Sequence, residues 1–212
     1  MGKLLQGILG GVSGKIGNVV GSSWKGIPVI KAKPLSVANP RTAGQVEQRS
    51  KMSNIVAFSK PLLSTLIKPL WDRFASQMSG YNAFIAENID LFENEMPSPA
   101  SDLVISSGKM SPTAITSFSV DTGAEFVSVE WKNDSGEGLK LVSDEAYVLV
   151  VNETKKETII SSAEVARENA AITPVPVPEG WSVNDVCHVY LAFRRADGTV
   201  VSDTAYDTTT VI

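Results

Sequence analysis

Hydrophobic residues recur with two different periods along this chain. Between residues 42 and 89 they return every three to four positions, the spacing of helices that bury one face. Beyond residue 105 they alternate or run in short blocks, the spacing of strands. Asn39-Pro40-Arg41-Thr42 marks a turn, and Thr42-Ala43-Gly44-Gln45 matches a capping box, so a helix is predicted from there through Val46, Arg49 and Val56 to about Ser59. Pro61 should stop or kink it. A short apolar helical piece, Leu62 to Ile67, follows, and Pro69 opens another. Trp71, Phe74, Met78, Tyr81 and Phe84 form an aromatic and methionine stripe that predicts a helix-packing core, with a last short helix ending near Ile89.

Residues 93–104 contain Met96-Pro97-Ser98-Pro99, the composition of a linker. Strands are predicted at Ile115 to Val120, Phe126 to Trp131, Ala146 to Val151, Thr158 to Ser161 and Val186 to Arg194. Ile172 to Val177 alternates with prolines, which suits an edge strand or an extended loop. Asp197-Gly198 is a strong hairpin signal, with a return strand from Val200 to about Tyr206. Seven or so strands over about 100 residues give the pattern of an immunoglobulin- or fibronectin-III-like sandwich, with Trp131 and Tyr190 in its core.

The first residues follow neither period. Ile16, Val19 and Val20 lead to Trp24, and Ile27, Val29 and Ile30 follow, so residues 16–33 read as a β-hairpin turning at Lys25-Gly26. Pro28 predicts an edge strand, and Lys31 and Lys33 should share one face. The expected fold class is therefore α+β. Residues 1–38 form a basic glycine-rich arm with a hairpin, 39–92 a short helical bundle, 93–104 a linker, and 105–212 the all-β sandwich.

Composition sharpens this organisation. The chain has 212 residues, 43% of them hydrophobic and 20% charged, which fits a packed globular core. Its formal charge of −4 conceals a division. Residues 1–60 carry nine Lys or Arg against one acid, a balance of +8, and residues 61–212 carry ten against twenty-two, a balance of −12. Eight of the sixteen glycines fall within the first 26 residues, a density that disfavours a helix there. A basic arm on an acidic body fits an acidic neighbour, including the body of another copy; nucleic acid and a solvated lysine surface are the other readings. The apolar run Leu4 to Leu9 is short and broken by Gly7, so the start is expected to be mature protein and not a secretory signal. No stretch reaches the ~20 apolar residues of a membrane-spanning helix, and no membrane partner is expected.

Candidate chemistry is sparse. The single Cys187 excludes a disulfide framework, and with the single His188 it leaves no basis for a zinc or histidine metal site. The two are neighbours in a predicted strand, so their side chains should point to opposite faces and form no catalytic pair, with Cys187 a small buried apolar residue. Gly14-Lys15 lacks the spacing of a phosphate-binding loop, because Leu9 and Ile16 stand where Gly and Ser or Thr belong. No glycine motif of a dinucleotide site follows a strand. Catalytic, cofactor and metal residues are accordingly expected to be none. Trp24, Lys25, Lys31, Lys33, Arg41 and Arg49 are the expected contact residues, Trp and Arg being the types enriched at binding hot spots.

The run Gly7-Ile8-Leu9-Gly10-Gly11-Val12-Ser13-Gly14-Lys15-Ile16-Gly17-Asn18-Val19-Val20-Gly21-Ser22-Ser23-Trp24-Lys25-Gly26 resembles the opening of an uncharacterised domain-of-unknown-function family found in Bacteroidota and their phages and prophages. Asn39-Pro40-Arg41-Thr42 with Gln45, Gln48-Arg49 and Lys51, and Ser79-Gly80-Tyr81-Asn82-Ala83-Phe84 with Asn88, extend the likeness over the first ~90 residues. The resemblance implies no enzyme activity. It implies a virion structural component, such as a ring, neck or tail protein or a capsid-associated one, whose partners are copies of itself and other virion proteins. A module binding glycans or a host surface through the sandwich loops is the alternative, with Trp181 as its loop aromatic.

Overall fold

The computed structural model describes residues 2–3, 12–24, 27–36, 39–123, 125–161, 165–172 and 175–212. It divides into two compact units, residues 1–42 and 43–212.

The first unit is a four-stranded antiparallel sheet. Its strands are β1 (Gly2–Lys3), β2 (Gly14–Ile16), β3 (Val19–Trp24) and β4 (Ile27–Ala32), in the order β1-β4-β3-β2. The predicted hairpin is β3 with β4; its turn, Lys25-Gly26, lies outside the described residues. A second hairpin precedes it. Ile16 pairs with Val19 across Gly17-Asn18, and Gly17 adopts a φ of 56°, which its missing Cβ permits. Pro28 does not place β4 at the edge, because β1 lies on the other side. β1 reaches only Val29 and Ile30, so Pro28 stands beyond its end and interrupts no bond to it. Gly21 is needed for a different reason: a Cβ there would lie 2.0 Å from the Val12 carbonyl oxygen.

The second unit is α+β. Helix α1 (Ala43–Ser59) begins directly after Thr42 and ends before Pro61. A π-helical turn (Leu63–Ile67), α2 (Lys68–Trp71) and α3 (Gly80–Asn88) follow. Ser79 caps α3 by accepting a hydrogen bond from Asn82 N at 3.2 Å. The expected stripe is only partly realised. Trp71 and Phe84 are buried, but α2 stops at Trp71, so Phe74 and Met78 lose helical spacing and stand 37% and 51% exposed.

Two antiparallel sheets complete the unit. One holds β5 (Ile115–Asp121), β6 (Phe126–Trp131) and β9 (Val175–Pro176) in the order β5-β6-β9. The other holds β7 (Glu145–Asn152), β8 (Glu157–Ser161), β10 (Val186–Arg194) and β11 (Ala205–Thr210) in the order β11-β10-β7-β8. After the Asp197-Gly198 turn the chain makes only a single bridge, Arg194 with Val201, and resumes pairing at Ala205, later than predicted.

The two central strands of this second sheet, β7 and β10, are buried on both faces. Ala146, Val148 and Val150 of β7, with Cys187, Val189 and Leu191 of β10, face Val120, Val127 and Trp131 of the other sheet. Tyr147, Leu149 and Val151, with Tyr190 and Ala192, face a second core of Ile55, Leu62, Leu66, Trp71 and Phe84 from the helical layer. This double burial explains why β7 reads as a continuous apolar run instead of an alternating one. Met96 and Leu103 belong to the same helical-side core, so the proline-rich segment 93–104 packs against it. Asn88 fastens that segment. It donates to the carbonyls of Phe84 and Val104, both at 3.0 Å, and accepts from Val104 N at 2.8 Å.

Candidate functional site: exposed faces of opposite charge

The register of the N-terminal sheet sorts its side chains onto two faces. Directly paired residues share a face. Ile16, Val19 and Ala32 therefore lie on one, in a cross-strand row, with Ile30 farther along. Lys15, Val20 and Lys31 form the corresponding row on the other. The first face is apolar and open to solvent at its Ile16–Val19 end, with Ile16 62% and Val19 40% exposed, while Val12 covers it at Gly21. Leu35, just beyond β4, is 95% exposed. The second face presents two exposed lysines on either side of half-buried Val20. Neither Lys15 nor Lys31 forms a salt bridge among the described residues.

The residues expected to make contacts are distributed unequally over this structure. Lys31 lies on the lysine face. Lys33 follows β4, exposed, and its backbone N–H donates to Asn18 O at 2.7 Å, extending the pairing past the strand. Trp24 closes β3 opposite Ile27. Lys25 lies outside the described residues. Arg41 is exposed at the end of the first unit, and Arg49 is exposed on α1 in the second. Lys15 was not singled out by sequence. Its place in one row with Lys31 depends on the Gly17-Asn18 hairpin, whose register shows only in the pairing of β2 with β3.

The body carries a cleft of the opposite sign. Its volume is about 430 Å³, and Glu87, Asp102, Asp203, Ser106, Thr204 and Tyr206 are among the lining residues, with no Lys or Arg among the described ones. Glu87, Asp102 and Asp203 are exposed and form no salt bridge among the described residues. Asp102 accepts a hydrogen bond from Ser101 Oγ at 2.9 Å, and Asp203 accepts one from Gly108 N at 2.9 Å. Elsewhere on the body several basic residues are already matched. Lys51 pairs with Glu47 at 3.2 Å and Glu93 at 3.7 Å, and Arg194 pairs with Glu145 at 3.0 Å.

Beside this cleft the structure assembles three titratable residues that the sequence left scattered. His188 Nδ1 is 2.9 Å from Tyr206 Oη, and Nε2 is 3.1 Å from Glu153 Oε2. The His188 and Tyr206 rings stack with centroids 5.9 Å apart. Alternation along β10 puts His188 on the helical side and Cys187 on the other, so the two form no pair. Both nitrogens of the buried imidazole are occupied, and no cation hydrogen-bonds Tyr206 Oη among the described residues. Burial pushes the Cys187 thiol up to about 12, which keeps it a protonated, unreactive packing group. Burial also raises Tyr190, whose Oη donates to Ala100 O at 2.7 Å.

Other candidate features have structural partners. Trp181 is 6% exposed and donates its Nε1–H to Glu157 at 2.8 Å, so it is not a loop aromatic open to a sugar ring. Among the described residues no group of three or more His, Cys, Asp or Glu stands where it could hold a metal ion. No helix of the described residues is long and apolar enough to cross a membrane.

Residues 11–207 match the sequence profile of a protein family described as a family of unknown function, DUF6266. No curated protein and no solved structure matches the chain.

Proposed function

The chain belongs to this family of unknown function, and from its own geometry we propose that it is a non-enzymatic virion structural protein of a bacteriophage, a ring, neck or tail component or a capsid-associated one, that assembles through its N-terminal unit. One observation carries the reading: a four-stranded sheet with Ile16 and Val19 open to solvent on one face and, on the other, Lys15 and Lys31 without a salt bridge among the described residues. A small sheet gains little stability unless it packs on something. Exposed apolar side chains on such a sheet fit a surface that another subunit covers.

The body reads as the scaffold that this unit decorates. Its order β5-β6-β9 facing β8-β7-β10-β11 supports an immunoglobulin- or fibronectin-III-like sandwich for residues 115–210, with the helical layer added to its four-stranded face. The phage setting rests on the resemblance of the glycine–tryptophan run and of Asn39-Pro40-Arg41-Thr42. The partners in this reading are further copies and other virion proteins.

Purified phage particles from a host that carries the coding sequence test the reading by mass spectrometry. The expected result is this chain present in stoichiometric copy number in intact, nuclease-treated particles. A chain found only outside the particles overturns the virion assignment.

A further inference from the structure

We infer that the lysine face of the N-terminal sheet docks on the Glu87–Asp102–Asp203 cleft of a second copy of this chain. The inference rests on the assembly reading above and names the partner surface within it. On the sheet, Lys15 and Lys31 stand in one cross-strand row through Val20, so two ammonium groups leave the same face two strands apart, about 10 Å at ordinary strand spacing. Both are exposed and unpaired among the described residues. On the body, Glu87, Asp102 and Asp203 surround one cleft, equally exposed and equally without a basic neighbour in its wall.

Charge complementarity selects the occupant. The chain places +8 in residues 1–60 and −12 in residues 61–212, so each copy presents both halves of the match. The apolar portion of the contact comes from half-buried Val20 on the sheet and from Val104 and the Tyr206 ring in the cleft wall. Because the two surfaces differ, the contact is heterologous. Repeated from copy to copy it closes a ring or extends a filament, according to the rotation at each step.

Charge reversal on each side tests this with the full-length chain. The sheet variant is Lys15→Glu with Lys31→Glu, and the cleft variant is Asp102→Lys with Asp203→Lys. All four positions are exposed, and circular dichroism checks that each variant folds. Sedimentation velocity at low ionic strength reads the association. The wild type is expected to associate, and each variant alone to associate at least about tenfold more weakly. Mixing the two variants restores association, since each then offers the complement of the other. A wild type that stays monomeric across the concentration range overturns both this inference and the assembly reading. Association that survives both reversals overturns the lysine-to-cleft contact and leaves the assembly reading standing. Loss in the sheet variant without loss in the cleft variant overturns the cleft as the receiver. Salt-sensitive binding of duplex DNA by a monomeric wild type, abolished in the sheet variant, assigns the lysine face to nucleic acid instead and overturns the inference.

Discussion

The guanidinium of Arg167 lies 3.8 Å over the ring of Phe193. Arg167 is completely buried, and its charge is answered by Asp134 at 2.6 Å and Asp144 at 3.3 Å, with Thr113 also in contact. Lys140 pairs with Asp134 from the other side. Two cations and two carboxylates therefore balance inside the unit, and the Arg167 carbonyl accepts from Trp131 Nε1 at 3.0 Å. Breaking such a group by removing one member leaves an uncompensated buried charge. Arg167→Met is expected to destabilise the protein by about 3–5 kcal/mol in chemical denaturation. A loss below about 1 kcal/mol contradicts the structural role given to the cluster.

The same cluster sets an acid limit. Burial pushes the Asp134 carboxyl up, but hydrogen bonds and charge from Lys140 and Arg167 outweigh it and hold it below its ordinary value of 3.8. Asp197 is held low as well, by its hydrogen bonds from Thr199. A carboxyl lowered in the folded state contributes its full stability above the ordinary value and loses it as the pH falls through the folded one. Stability from Asp134 should be level above about pH 5 and fall progressively below pH 4. Asp134→Asn should flatten part of that fall, measured as denaturation midpoint against pH. An unchanged slope contradicts the ion-pair account.

Asn88 joins α3 to residue 104 by two hydrogen bonds, makes a third to Phe84 O within α3, and is completely buried. Asn88→Leu leaves the N–H and carbonyl of Val104 without this partner and should cost about 1–3 kcal/mol. Because Tyr147 and Tyr190 of the sheet share a core with Leu66 and Trp71, helices and sheet should unfold together. Tryptophan fluorescence and far-ultraviolet circular dichroism are expected to give one coincident transition. Two separated transitions contradict the shared core.

A Cβ on Gly108 would lie 2.0 Å from the Val201 carbonyl oxygen, which already accepts from Met110 N at 3.2 Å. Backbone cannot yield as a flexible side chain does. Gly108→Ala should cost about 1–3 kcal/mol, read as a lowered thermal midpoint. A neutral substitution contradicts the close approach of these two segments.

Much of the body was legible in the sequence, because period and turn chemistry act locally. The apolar run Ala146 to Val151 marked β7, and the long run from Val186 marked β10. Pro61 ended α1 as its missing N–H requires. Other features depend on contacts remote in sequence. Met96 and Leu103 sit in a proline-serine run whose composition signals a linker, and only the facing sheet makes them core. Phe74 and Met78 keep helical spacing on paper, but α2 ends after one turn. Arg167 shows no periodic signal, since its partners come from residues 113, 134 and 144. The grouping of Glu153, His188 and Tyr206 likewise needs three separate segments. Of the lysine face, Lys31 was legible and Lys15 was not, because the pair exists only through the β2–β3–β4 register.

Electron microscopy of the assembled full-length chain, or of particles that contain it, tests the central claim most directly. The account predicts density for residues 1–42 lying against the body of a neighbouring copy, with Lys15 and Lys31 at the cleft of Glu87, Asp102 and Asp203. Residues 1–42 packed wholly on their own body, with no neighbour touching them, would contradict it.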